Sequence, residues 1–371
     1  MPEIFEIIAK EPKFRLTQIH RAWFDLKIHG YDEITTLPRD LRLKLADFPW
    51  LSVKEKIMLE SKIDGTRKAL LELQDGQTIE TVLMGRESKK EGDKDGVRYT
   101  VCISSQVGCP MGCAFCATGQ LGFSRNLSYL EIIDQVRFWQ QFLCHCEERS
   151  ANKRGATRQS QGDCFAPLAM TKNNIDNIVL MGQGEPFLNY ENVKEALNII
   201  LKNTEIGPSK ITISTVGIPA MLDKMLGDKD FPGVRFALSL HTALEESRIK
   251  IIPSHQKGFL EFLVDWSKRY HERFSSRAHF IGLEYTMLDE INDDEKHLKA
   301  LIKLAAKMGL VRVNLIPYNC TTEFLTGSSV EKIEHWHDAL MKAGFTCTIR
   351  RSQGTDIAAA CGQLKNQSLG G

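Results

Sequence analysis

The sequence has no long apolar run. None approaches the roughly 18 residues of a membrane-spanning helix, so no membrane partner is expected. It has no excess of charge either: 48 Lys and Arg stand against 47 Asp and Glu. Bulk charge therefore neither demands nor excludes a nucleic-acid partner, which needs only a local basic patch. The opening MPEIFEIIAKEP puts acids among its apolar residues and lacks the basic-then-apolar layout of a secretion signal. The composition of disorder is missing too, since 42% of the 371 residues are hydrophobic and 26% charged. A soluble, cytoplasmic, monomeric protein is expected, long enough for one large domain and a smaller one.

What the chain does have is ten cysteines, and their placement is not that of a disulfide framework, which belongs to short secreted domains. Cys102, Cys109, Cys113 and Cys116 fall within fifteen residues, and Cys361 lies near the C-terminus. Clustered thiols in a reducing compartment point to metal or redox chemistry.

Residues 1–75 are expected to form a helical N-terminal accessory domain. LTQIHRAWFDL (16–26) repeats its apolar positions at three and four residues. LLEL (70–73), Asp75-Gly76 and TIETVLM (78–84) read as a hairpin, and 76–98 as hairpin and linker with a solvated loop at 85–96. From residue 99 a rhythm begins. Strands are predicted at 99–105, 175–182, 210–217, 234–241, 279–288 and 311–318, and helices at 128–143, 190–203, 259–274 and 294–309. Such alternation argues for parallel βα units. The fold class is α/β, and a partial (β/α)6 barrel over 99–350 is the preferred architecture, with a doubly wound open sheet as the alternative that periodicity does not separate. Residues 144–173 are polar and aperiodic and read as an inserted surface loop, with Cys144 and Cys146 as solvated thiols. Residues 351–371 form a C-terminal tail.

The strongest signal is VGCPMGCAFCATGQ (107–120), with thiols spaced C-x-x-x-C-x-x-C among Gly108, Pro110 and Gly112. Three thiolates are presented without a fourth. A structural zinc site normally closes with four ligands, whereas three cysteines on a four-iron cluster leave one iron open. A zinc-stabilised RNA-binding protein without catalysis stays open as an alternative.

This loop, with Phe115 just before its last thiol, resembles the cluster loop of radical S-adenosylmethionine (SAM) enzymes. The resemblance implies a [4Fe-4S] cluster on Cys109, Cys113 and Cys116, with SAM chelated to the open iron and split reductively to a 5′-deoxyadenosyl radical. Further blocks narrow the resemblance to the RlmN/Cfr family of RNA adenine methyltransferases, over most of residues 75–365. They are CISSQVGCPMGCAFCATGQLGFSRNLS (102–128), MGQGEPFLNYENV (181–193), ITISTVG (211–217), SLHTA (239–243), EYTMLDEIND (284–293), NLIPYN (314–319) and GTDIAAACGQL (354–364). SSQVGC and AACGQL resemble the RlmN branch, which modifies adenine C2, rather than the Cfr branch, which modifies C8.

The resemblance implies methylation of adenosine 2503 in 23S rRNA, with adenosine 37 of certain tRNAs as a further substrate in some members, and an electron donor such as flavodoxin or ferredoxin. It places the methyl carrier at Cys361, the resolving partner at Cys102 and a proton acceptor at Glu80. It assigns Gly184, Glu185, Ser214, Ser239, Leu240, His241 and Asn319 to SAM. Most of these sit where predicted strands end, the rim at which a barrel presents its ligands. RNA contacts are expected from the N-terminal domain and from Arg125, Lys210, Arg350 and Arg351. Cys320 and Cys347 are expected to be packing residues.

Overall fold

The structure, a computed structural model, describes residues 2–87, 97–153, 175–274 and 279–365. Three helices open the chain, Pro2–Ala9, Lys13–Trp23 and Arg39–Ala46. Their apolar stripes bury Ile19, Trp23, Leu41 and Leu45. The expected helical character stops there, because β1 (Val53–Glu60) and β2 (Arg67–Leu73) follow as an antiparallel pair. The sequence hides β1 for a physical reason. Its register shifts between Glu55 and Ile57, and such a bulge erases the period-two alternation by which a strand is recognised.

The predicted hairpin is present, with β2 antiparallel to β3 (Thr78–Glu87) and Leu70 opposite Glu80. The Asp75 carboxylate accepts the Gln77 N–H at 3.1 Å, and Gly76 takes φ +79 in the turn. Residues 85–87, expected in the loop, continue β3 instead, and 88–96 lie outside the described residues.

All six predicted parallel strands occur. They are β4 (Val97–Cys102), then, beyond the small ribbon of β5 (Gln106–Gly108) and β6 (Phe123–Asn126), β7 (Ile175–Leu180), β8 (Ile211–Thr215), β9 (Arg235–Ser239), β10 (Ile281–Met287) and β11 (Val311–Pro317). One more, β12 (Thr346–Ile349), pairs parallel to β11. The order in the main sheet is β1-β2-β3-β4-β7-β8-β9-β10-β11-β12. A doubly wound sheet reverses its order at a switch point. Here the parallel strands succeed one another without reversal, which decides for a partial barrel extended at one edge by three antiparallel strands.

The four predicted helices run Tyr129–Lys153, Tyr190–Asn203, Phe259–Arg273 and Glu295–Met308, and Pro219–Gly227, Glu245–Ile251 and Val330–Lys342 join them. The first continues through the expected start of the insertion at 144; residues 154–173 of that insertion lie outside the described residues. Alternation on the strands separates two faces. One face, with Ile178, Leu180, Ile213, Phe236, Leu238, Leu283 and Leu315, packs against Trp139, Leu197, Trp266 and Leu301 in a single core. The opposite face carries Ser239, Glu284 and Asn314 in direct register across β9, β10 and β11. The main apolar layer thus lies between sheet and helices, and the opposite face, which mixes these polar groups with apolar ones such as Val179 and Met181, turns toward the barrel interior.

Candidate active site

The cysteine loop hangs from the β5–β6 ribbon, and two glycines make its turns. Gly108 has φ +73, and a Cβ there would stand 2.0 Å from the Gly122 carbonyl oxygen, which also accepts the Cys109 N–H at 2.8 Å. Gly112, at φ +65, reverses the chain between the first two thiols. Cys109, Cys113 and Cys116 all face one cavity at the C-terminal rim of the barrel. Burial pushes the Cys109 thiol up to about 12 and raises Cys113 and Cys116 as well, with mutual repulsion adding to the effect at Cys113. These thiols hold their protons at neutral pH until a cation displaces them.

Among the described residues no three His, Cys, Asp or Glu side chains are grouped as ligands of a metal ion would be. A cluster makes a different demand, since each thiol binds its own iron around a cube. Three soft donors on one cavity, Cys113 buried and Cys109 and Cys116 half-buried, suit iron–sulfur chemistry.

The opposite wall starts at the exit of β7. Gly184 has φ +102, and a Cβ would meet the Gln106 Cβ at 2.6 Å, so only glycine lets this turn lie against β5. The Gln106 side-chain oxygen accepts the Glu185 N–H at 2.8 Å. Glu185 is 3% exposed. One of its oxygens accepts the Phe187 N–H at 3.1 Å and the other the Val216 N–H at 2.9 Å, while burial raises its pKa. The Thr215 side chain bonds the same carboxylate, and the lone-pair capacity that remains is open to a cationic ligand.

The Ser214 and Ser239 hydroxyls stand 3.3 Å apart on the same cavity wall. His241 adopts φ 56, and its Nδ1 accepts the Thr286 N–H at 3.0 Å, which places the ring proton on Nε2. Burial lowers its pKa to about 3, so the ring is a neutral donor, 4.4 Å between centroids from Phe115. Asn319 and Cys361 complete the lining, and the Asn319 amide donates to the Cys361 carbonyl at 3.1 Å. Leu240 does not belong to it. It is fully buried in the core, and its carbonyl accepts from Arg248 Nε at 3.2 Å.

Cys361 is exposed. Cys102, at the end of β4, is nearly covered and packs with Val82, Ala359 and Leu364. Burial pushes its thiol up to about 12, with Cys361 the next contributor. Both sulfurs act on Arg350, whose pKa is raised by Cys361 first. Arg350, named from the sequence as a candidate phosphate contact, is 29% exposed at its side chain. It lines the cavity, donating to Glu284 Oε2 at 3.2 Å and to the Met181 sulfur at 3.4 Å. Arg125 is likewise engaged, by Asp75 at 2.6 Å and Glu131 at 2.9 Å, while Lys210 and Arg351 are exposed. Glu80 is 1% exposed and paired with Lys68 at 3.0 Å. Cys347 is buried as expected, and Cys320 is exposed.

Sequence reading missed Met181, Glu284 and Arg350. A signal existed for Glu284, a lone carboxylate inside the apolar strand IGLEYTM; nothing in the chain announced that Arg350 reaches it.

Residues 103–302 match the Radical SAM superfamily. The crystal structure of a radical SAM methyltransferase from Sphaerobacter thermophilus is 33% identical, covering 96% of this chain and 94% of that one, at a TM-score of 0.75. SuiB from Streptococcus suis, bound to S-adenosylmethionine, is 12% identical over 68% of this chain and 47% of its own, at 0.41. A domain of pyruvate-formate lyase-activating enzyme from Bacteroides vulgatus ATCC 8482 is 15% identical over 47% and 99%, at 0.37. Nothing is inferred from the last two at such scores. The superfamily match brings with it a [4Fe-4S] cluster and SAM as cofactors, and the three thiols and polar rim are the groups that fit them. No helix among the described residues is long and apolar enough to cross a membrane.

Proposed function

The chain belongs to the radical SAM superfamily and has the fold of a radical SAM methyltransferase, and from that premise we propose that it methylates C2 of an adenosine in 23S rRNA, through a methyl group carried on Cys361. A tRNA adenosine is the proposed second substrate, and a flavodoxin or ferredoxin the electron donor. The observation that carries the reading is the nearness of two further cysteines to the cluster thiols: Cys361 lines the cavity with those three thiols, and Ala359 and Leu364 of its loop pack on Cys102. A radical SAM protein that only cleaved its cofactor has no use for this second pair of thiols.

The chemistry explains the pair. Adenine C2 is an electron-poor ring carbon and does not attack a sulfonium methyl. A cysteine thiolate does. When bound, the cluster and SAM supply a one-electron cleavage that generates a carbon radical. The protein's residues do the rest. Ser214, Ser239 and the Nε2–H of His241 offer hydrogen bonds to a polar cofactor on the rim, and Glu185 offers lone pairs to an ammonium. Cys361, exposed at the mouth, accepts the methyl and presents it as a thioether. Once that carbon has bonded to the base, the Cys102 thiolate attacks the Cys361 sulfur. The S–S bond forms and the sulfur–carbon bond breaks with its electron pair on the methylene carbon, which takes up a proton to become the methyl. Adenine C2 gives up its own proton to solvent, and the adduct's unpaired electron would return to the iron–sulfur cofactor. Arg350, held by Glu284, lies close enough to Cys102 to offset part of the burial that raises that thiol.

Anaerobic reconstitution with SAM and an unmodified rRNA fragment, followed by nucleoside mass spectrometry, tests this. 2-Methyladenosine is expected. 8-Methyladenosine would move the chain to the other chemistry, and an unmodified fragment with an intact cluster would reject RNA as substrate.

A further inference from the structure

The loop that carries Cys361 is held at both ends by one buried ion pair. Lys68 on β2 and Glu80 on β3 lie diagonally on the same sheet face, since Lys68 opposes Val82 and Leu70 opposes Glu80. Their side chains are 5% and 1% exposed and meet at 3.0 Å. Each also reaches the tail. Lys68 Nζ donates to the Ala358 carbonyl at 3.1 Å, and Glu80 Oε2 accepts the Lys365 N–H at 2.8 Å. Both Glu80 oxygens are thus occupied, one by an ammonium and one by a main-chain amide. Ala358 sits at φ 50, ψ 45, a conformation a non-glycine residue keeps only where its surroundings enforce it. Between the two anchor points the loop is tied to the cluster side: the Ala117 N–H donates to the Gly362 carbonyl at 2.7 Å and the Thr118 hydroxyl to the Leu364 carbonyl at 2.6 Å.

We propose that Lys68 and Glu80 are positioning residues, a buried clasp that fixes residues 358–365 and so sets the Cys361 thiol at the cavity mouth, and that Glu80 does not serve as the proton acceptor its sequence resemblance implies. Glu80 is 1% exposed and is not among the residues that line the cavity, so a substrate proton there does not reach it, while its removal would free one end of the loop. The step in which Cys361 is used rests on the proposed methyltransferase reading; the holding of the loop does not.

The test uses the full-length, anaerobically reconstituted protein in four forms: wild type, Lys68→Met, Lys68→Arg and Glu80→Gln. Two readouts need no RNA: hydrogen exchange of the 358–365 amides, and the rate at which SAM methylates Cys361, followed by peptide mass spectrometry. Lys68→Met should accelerate exchange at Lys365 and slow Cys361 methylation on the order of tenfold or more, as misplacement of a reacting group does, with the cluster absorbance unchanged. Lys68→Arg, which retains a donor cation, should recover most of the rate. Should Lys68→Met fail to fold, the comparison passes to the milder Glu80→Gln. That variant should lower methyl-Cys361 and RNA product in the same proportion. Wild-type exchange and wild-type Cys361 methylation in Lys68→Met would overturn the clasp. Wild-type Cys361 methylation in Glu80→Gln with loss of RNA product alone would restore Glu80 as a proton acceptor. Absence of methyl-Cys361 in the wild type would defeat the methyltransferase reading, while the exchange data would still decide the clasp.

Discussion

In the proposed reaction Cys361 and Cys102 divide one task by their surroundings. The first is exposed and the second lies beneath the loop that carries it. Cys361→Ala should therefore abolish both protein methylation and RNA product while iron content stays at the wild-type level, as read by peptide and nucleoside mass spectrometry. Cys102→Ala should leave the methyl acceptor intact and accumulate a protein–RNA adduct, visible as a shifted band on a denaturing gel. His241 makes a different kind of prediction. Its pKa falls from 6.5 to about 3 on burial, so the unfolded chain binds a proton in the acid range that the folded chain refuses. The neutral ring's contribution is complete above pH 6.5 and is lost as pH falls toward 3, at up to about 1.4 kcal/mol per pH unit. Urea midpoints of the apo-protein at pH 7 and pH 5 should show this, and His241→Asn should flatten the decline.

At the scale of elements, two glycine replacements separate crowding from mere flexibility. An alanine at Gly108 would push against the backbone of Gly122, whereas a Cβ at Gly207 meets nothing within 4 Å. Gly108→Ala should lower iron bound per chain after reconstitution, and Gly207→Ala should not. Trp266 on the helix Phe259–Arg273 is fully buried between that helix and the sheet; Trp266→Ala should cost about 3–5 kcal/mol in chemical denaturation. The same elements show what the sequence made legible. Parallel strands covered by helices read as dense β-branched and apolar runs, so β7 to β11 announce themselves. β1 carries Lys54, Glu55 and Lys56 across its bulge and looks like a helical surface. Glu245–Ile251 is seven residues long, too short for a period to emerge. The cysteine spacing and the rim motifs each lie within a short stretch and could be read directly. The Arg350–Glu284 pair could not, because it exists only through the parallel register that sets β10 beside β11 and β11 beside β12.

For the whole molecule, an anaerobic iron and sulfide assay distinguishes a cluster protein from a zinc-stabilised one: reconstituted chain should show both elements in cluster ratio, where zinc binding would give neither. The tail and the antiparallel strands that extend the barrel are not independent parts, since main-chain and side-chain bonds join Lys62 to Asp356 and Lys68 to Ala358.

Those two bonds span 294 and 290 positions of sequence, among the largest loop closures the chain can make, and such distant pairings form late and slowly. During synthesis, which proceeds from the N-terminus, β2 and β3 emerge long before their partner in the tail exists. The three clustered sulfurs at 109, 113 and 116 likewise precede Cys361 by more than two hundred positions, so in the proposed reaction the cluster ligands are made well before the acceptor thiol. The proposed acceptor sulfur thus comes late, to a scaffold already standing.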